Sequence, residues 1–293
     1  MVALDLIVFT ENPAAYAPKR ILEECKKHRI SALAISYKSI DFSVDVSDID
    51  VKVDGVNLPM SKVILFRELA PKAFAYYHRN FLIELYEAAG AKVINADSYL
   101  MWPYLDKLTQ HFEMQKAGIP FVKTLNFGHR SRLLTEMSGK YPFIEKYHIS
   151  SRGREVFKAE NSDDVEKINK AGYKTRTLLV QELQTAGEDL RIIVIGGKII
   201  GAMKRIASSG SHLTNFSQGG KVEKYDIEND KKACEIALKC AKHFKLDYVG
   251  VDLIRGNDGN WKVLEVNRGA QFKGFELSTK FNVPAEIIKV FLG

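Results

Sequence analysis

YVGVDLIRGNDGNWKVLEVN, residues 248–267, is the stretch that decides the fold. Asp258-Gly259 is a strong two-residue hairpin signal between two apolar runs. A turn at those two residues places Asp252 opposite Glu265 and Gly250 opposite Asn267. Side chains alternate along a strand, so Glu265 and Asn267 share a face. The hairpin therefore gathers Asp252, Glu265 and Asn267 at one end of two strands otherwise rich in Val and Leu. Carboxylates buried without a partner are costly. A hard cation such as Mg²⁺, which takes carboxylate and amide oxygens together with substrate phosphates, relieves that cost. A solvated face, or pairing with Arg and Lys, also relieves it.

Working outward, EDLRIIVIGGKIIGAMKR (188–205) reads as a second hairpin around Gly196-Gly197, with Arg191 and Arg205 near its ends. Strict alternation from that turn places Lys204, not Arg205, on the face of Arg191; a bulge would exchange them. SSGSHLTNFSQGG (208–220) is a long polar loop suited to an anion. LLVQEL (178–183) reads as an edge strand running into an acidic turn, able to present backbone to an adenine. PFIEK (142–146) ends in Lys146 and enters HISSRGRE, a Ser- and Gly-bearing loop that could lay N–H groups over phosphates. No GxxxxGK[ST] motif occurs. Pro103 is expected to open a helix that stops at Gly118, with Lys107 near its start. Met101, Leu105, Leu108 and Phe112 give it an expected apolar face.

The first 96 residues alternate strand and helix patterns: strands at 4–10, 31–37, 62–68 and 91–96, and helices ending near Lys27 and Gly90. A hairpin at Asp54-Gly55 interrupts them. Beyond residue 121 short strands dominate, broken by helices near 162–171 and 229–244. The expectation is a parallel α/β layer followed by an α+β region with antiparallel sheets.

At 293 residues and 46% hydrophobic content, the chain can bury a sizeable core. The net charge of +7 fits a basic surface, a small anionic ligand or a nucleic acid. No aromatic-basic repeat or nucleic-acid motif supports the last, so nucleic acid is the minor reading. No run of about 18 apolar residues predicts a membrane span. MVALDLIVFTENP reads as a first core strand rather than a signal peptide. Three scattered cysteines fit a reducing, cytoplasmic setting and give no metal spacing.

In this order, DKLTQHFEMQKAGIPFVKT, PFIEKYHISSRGREV, LLVQEL, EDLRIIVIGGKIIGAMKRIA, NFSQGG, GVDLIR and LEVN resemble the ATP-grasp superfamily, and within it the RimK-type carboxylate–amine ligases. The resemblance spans essentially the whole chain. It implies an N-terminal α/β (pre-ATP-grasp) domain over 1–100 and an ATP-grasp domain over 101–293. The latter would comprise a lid subdomain at about 121–183 and a C-terminal antiparallel-sheet subdomain at about 184–293. It implies ATP and Mg²⁺ (or Mn²⁺), and addition of glutamate or another amino acid to an acidic, peptide or protein acceptor. Homo-oligomers occur among such enzymes.

Residue by residue, the resemblance implies phosphate contacts for Lys107, Lys146 and Ser151, and an adenine-facing hinge at Gln181, Glu182 and Leu183. It implies nucleotide contacts for Asp189 and Asn215, catalytic roles for Arg191 and Arg205, and metal ligation by Asp252, Glu265 and Asn267. The chain departs from the family at Leu213 and Gln218, where arginines are common. It departs again at SSRGRE, and at Arg268-Gly269-Ala270, which replaces a Ser-Pro-Gly type of segment. The replacements at 213 and 218 motivate a rival reading, an ATP-binding regulator without ligase turnover; a basic RNA-binding protein is a third.

Overall fold

A computed structural model describes residues 3–67, 73–148, 156–173, 178–207 and 220–293. The chain opens with β1 (Leu4–Thr10), α1 (Tyr16–Lys27) and β2 (Ala32–Ser36). Strands β3 (Ile40–Val44), β4 (Ile49–Val53) and β5 (Val56–Asn57) follow, then β6 (Ser61–Phe66), α2 (Ala73–Ala88), β7 (Lys92–Val93) and α3 (Ala96–Met101). The sheet β2-β1-β6-β7 is parallel throughout, as the alternation predicts. Its strands are near-continuous apolar runs because helices cover such sheets. Asp54 and Gly55 both take positive φ, the geometry of a tight hairpin turn, between β4 and β5. The partner strand β3, which the sequence reading omits, completes a separate three-stranded sheet.

The strand expected over 91–96 is a two-residue element. Asn95 takes a φ of 65° and starts α3 instead. Its side chain accepts from the Tyr248 N–H at 2.9 Å and donates to the Tyr248 carbonyl at 2.8 Å. An asparagine that satisfies both backbone groups of a strand in another sheet fastens the N-terminal sheet to the rest of the molecule.

Next come α4 (Lys107–Ala117), β8 (Thr124–Asn126), α5 (Arg130–Met137), β9 (Phe143–Tyr147), β10 (Val156–Ala159), α6 (Ser162–Ile168) and β11 (Leu178–Glu182). Their sheet, β10-β9-β11-β8, is antiparallel. It has its own small core, including Leu133, Phe143, Val165 and Val180. Two expectations fail here. LLVQEL is an interior strand, with β9 on one side and β8 on the other. Pro103 does not open a helix: α4 begins at Lys107, capped by Asp106, whose carboxylate accepts from the Thr109 N–H at 2.8 Å.

The chain ends with β12 (Glu188–Ile195), β13 (Lys198–Ile206), β14 (Lys221–Tyr225), α7 (Lys231–His243), β15 (Tyr248–Arg255), β16 (Trp261–Asn267), α8 (Lys273–Thr279) and α9 (Val283–Phe291). The sheet β14-β13-β12-β15-β16 is antiparallel. Leu190, Ile192, Val194, Val249, Val251 and Leu253 face one core with α7. Ile193, Ile195, Met203 and Tyr248 face the other way, into a core shared with Leu6, Val8, Val63 and Leu65 of the N-terminal sheet and with Phe275 and Ile287. Along that second face the residues change from apolar to charged: Ile195 and Ile193 give way to Arg191 and Asp189, and Tyr248 and Gly250 to Asp252. The charged end of this face is the candidate site.

Candidate active site

Two irregularities in β16 cancel. Gly256 donates to the Asn260 carbonyl, so the turn holds three residues, Asn257, Asp258 and Gly259, rather than the expected two. That alone would shift the register by one. A bulge between Asp252 and Leu253 in the pairing restores it, and Asp252 faces Glu265 while Gly250 faces Asn267. The bulge also lets both Val263 and Val266 enter the α7 core while Glu265 and Asn267 face the site. A second bulge, between Ile193 and Val194, puts Arg191 opposite Met203 and Asp189 opposite Arg205. Arg205 is thereby on the face of Arg191, and the conflict with strict alternation disappears.

Asp252 is buried and held by two arginines. Arg191 donates through Nε to Oδ1 at 2.7 Å and through Nη2 to Oδ2 at 2.6 Å, and Arg205 Nη2 lies 3.0 Å from Oδ2. Burial opposes ionisation, but Arg191 and then Arg205 hold the carboxyl below its usual range. Arg205 also donates to Asp189 Oδ1 at 2.5 Å, sealing that carboxylate in the interior. Burial acts against the guanidinium charge, yet Asp189 and Asp252 outweigh it and push Arg205 up. The Asn267 amide donates to Asp252 Oδ2 at 3.2 Å. Lys107 Nζ lies 3.7 Å from Glu265 Oε1. Burial pulls the Lys146 ammonium down to about 8, the Lys107 charge acting with it and Glu265 and Asp189 against it.

The structure thus brings together Lys107, Lys146, Asp189, Arg191, Arg205, Asp252, Glu265 and Asn267. The others divide. Gln181 is buried and donates to Thr124 Oγ1 at 2.7 Å. Glu182 and Leu183 belong to a junction around Asn257, whose amide donates to Glu182 Oε1 and to the Leu183 carbonyl, both at 3.0 Å. Ser151 and Asn215 lie outside the described residues, as do positions 213 and 218.

The sequence reading missed what α4 turns inward. Leu108 and Phe112 of its expected apolar face are 37% and 64% exposed, whereas Lys107 is only 7% exposed, and Gln110 and His111 are buried. Gln110 accepts from the Val266 N–H at 2.7 Å. His111 stacks on Phe121, with ring centroids 5.1 Å apart, and neither ring nitrogen has a hydrogen-bond partner. The available signal was the polar pair Gln110-His111 one turn after Lys107, which an apolar-stripe reading discards.

Among the described residues no group of three or more His, Cys, Asp and Glu could hold a metal. The candidate set is two carboxylates and an amide, the hard-oxygen chemistry that magnesium takes alongside phosphates. Four cations surround three carboxylates here. That surplus of positive charge fits a polyanion carrying a divalent ion.

Residues 105–291 match the RimK-like ATP-grasp domain. The chain belongs to the RimK-like ATP-grasp family. With that membership it is an ATP-dependent ligase that forms C–N bonds. Among curated relatives in this family, a probable alpha-L-glutamate ligase of Marinomonas sp. is 27% identical over 98% of this chain and 94% of its own length. One of Legionella pneumophila is 29% identical with the same coverage. The ATP-grasp ligase PsnB, solved with a phosphomimetic variant of its minimal precursor, Mg and ADP, superposes with a TM-score of 0.75 at 21% identity. That match covers 99% of this chain and 98% of PsnB, and it fixes the fold. No described helix is long and apolar enough to cross a membrane.

Proposed function

We propose that the protein joins an amino acid, with glutamate foremost, to an acidic or peptide-like acceptor through an acyl phosphate. A substrate carboxylate oxygen attacks the γ-phosphorus of ATP, the bond to the bridging oxygen breaks, and ADP leaves. The amine then attacks the acyl carbon, the bond to the phosphate oxygen breaks, and an amide, inorganic phosphate and a proton are released. The observation that carries this reading is the gathering of Asp252, Glu265 and Asn267 with Arg191, Arg205, Lys107 and Lys146 on one sheet face. The glutamate preference rests on the relatives' names and on the basic surface.

In this reading Lys107 and Lys146 neutralise the phosphate tail, and Ser151 and Asn215 contribute to the same anion. Gln181, Glu182 and Leu183 border the base, and Asp189 anchors Arg205 beside the nucleotide. Arg191 and Arg205 stabilise charge developing on the transferred phosphoryl group, held in place beforehand by Asp252 and Asp189. Asp252, Glu265 and Asn267 would hold Mg²⁺, which when bound offsets phosphate charge. Residues 121–183 act as a lid over 184–293, and 1–100 form the third unit. Excluding water matters because an acyl phosphate hydrolyses readily.

ATP-dependent phosphate release over a panel of amino acids and acidic peptides, with mass spectrometry of the products, tests the reading. The expected result is acceptor-dependent release with a product heavier by one amide-linked residue. Nucleotide binding without turnover across the panel would favour the regulator instead. Glu265→Gln is expected to cut release at least about 100-fold with the fold intact; full turnover in that variant removes Glu265 from the site.

A further inference from the structure

Arg67 is the feature of this molecule that the proposed chemistry leaves unused. It follows β6 directly and is 1% exposed. Its Nη2 donates to the Ala270 carbonyl at 2.9 Å, but Nε and Nη1 have no hydrogen-bond partner. A guanidinium carries five N–H donors, and the three on those two nitrogens are unspent. No carboxylate among the described residues pairs with it. Buried Arg205 and Arg130 each have one, in Asp189 and Glu145, and half-buried Arg191 has Asp252. The Tyr248 and Phe272 rings, 5.5 and 5.4 Å away, offset part of the charge. A cation taken out of water with its fork half empty calls for an anion.

The position is equally telling. β1 continues to β2 on one side, while β6 pairs on the other, so β1 and β6 flank the point where the order of the parallel sheet reverses. Arg67 lies just past the carboxyl end of β6 and its N–H donates to the Phe9 carbonyl at 2.7 Å. Open α/β sheets take ligands in the crevice at that end of that pair. Arg67 also borders the proposed active site. The Ala270 carbonyl accepts from both Arg67 and the Tyr248 hydroxyl, the latter at 2.6 Å. Tyr248, Gly250 and Asp252 alternate along one face of β15. A Cβ on Gly250 would come within 2.6 Å of the Ala270 Cβ and 3.7 Å of Arg191 Cδ, so backbone and side chains are in close contact along this row. About 13 Å of strand separates Tyr248 from Asp252, room for a phosphoryl group and one amino acid.

We propose that Arg67 binds a carboxylate of the amino-acid or acidic-peptide substrate that is not consumed in the reaction. This rests on the ligase reading above for the identity of the substrate. The test is calorimetry with L-glutamate and the dipeptide Glu-Glu, in the presence of ADP and Mg²⁺, on wild type, Arg67→Met and Arg67→Lys. Wild type is expected to bind at least one of the two. Arg67→Met is expected to weaken that binding about 10- to 100-fold, with ADP affinity unchanged. It should melt no lower than wild type without acid, because the unpaired charge is gone. Arg67→Lys should fall between, since a point charge replaces a two-pronged donor; it decides the matter if Arg67→Met does not fold. Unchanged affinity in the variants, or no binding of either acid by wild type, overturns the proposal. Acid binding that depends on Arg67 without phosphate release sinks the ligase reading alone. Turnover with an unaltered KM for the acid in Arg67→Met or Arg67→Lys sinks the subsite alone.

Discussion

Helices α4 and α7 border the same apolar core, and they obey opposite rules. The buried residues of α7 are Ala233, Ile236, Ala237, Cys240 and Ala241, an apolar stripe at helical spacing. Those of α4 are Lys107, Gln110, His111, Glu113 and Met114, while Phe112 is left in solvent. The helix that follows the pattern holds the core together, and the helix that breaks it supplies charge and hydrogen bonds to β16. Departures from local consistency tend to collect where function is.

The sharpest separation of the two helices is a pair of variants. Lys107→Met should lower kcat/KM about 100- to 1000-fold while melting within about 3 °C of wild type. Ile236→Ala should do the reverse, costing about 3 kcal/mol in chemical unfolding and leaving turnover per folded molecule unchanged. A large stability loss in the first, or a turnover loss in the second, would erase the contrast.

A third test uses pH. Burial first, then the Lys146 and Lys107 charges, push His111 down to about 4 from its ordinary 6.5. Between those values the unfolded chain binds more protons than the folded one, so stability falls as the pH drops from 6.5 towards 4. His111→Leu removes that loss. Wild type and variant should therefore diverge by up to about 3 kcal/mol across this window and run parallel above it, as read by urea unfolding. The smallest effect is expected at Phe112→Lys, within about 0.5 kcal/mol, although it removes the most conspicuous apolar residue of the expected stripe.

The same contrast explains what could be read from the sequence. Three of the four expected strands of the parallel sheet, and the helix near 229–244, were legible because little but burial acts on them. The facing of Asp252 and Glu265 was legible too, although by a route that the chain does not take: a longer turn and a bulge compensate each other. The positions of Arg191 and Arg205 needed a bulge that alternation could only suggest. Residues whose partners are remote in sequence stayed hidden. Gln110 answers an N–H in β16, Asn95 answers Tyr248, and Arg67 meets Ala270. No local rule places a polar side chain against a backbone group more than a hundred residues away.

Asn257, at the turn of β15 and β16, has a mechanical consequence. Besides its two bonds to Glu182 and Leu183, its N–H donates to Gln184 Oε1 at 3.0 Å, and its side-chain oxygen accepts from the Thr185 N–H at 3.1 Å. The chain leaving β11 is thereby riveted to the tip of the hairpin that carries Asp252 and Glu265 further along. A rivet at one end of a stiff ladder makes a lever: under the ligase reading, in which the sheet of β8 to β11 is the lid, the set of that lid is tied to the strands that carry the carboxylates.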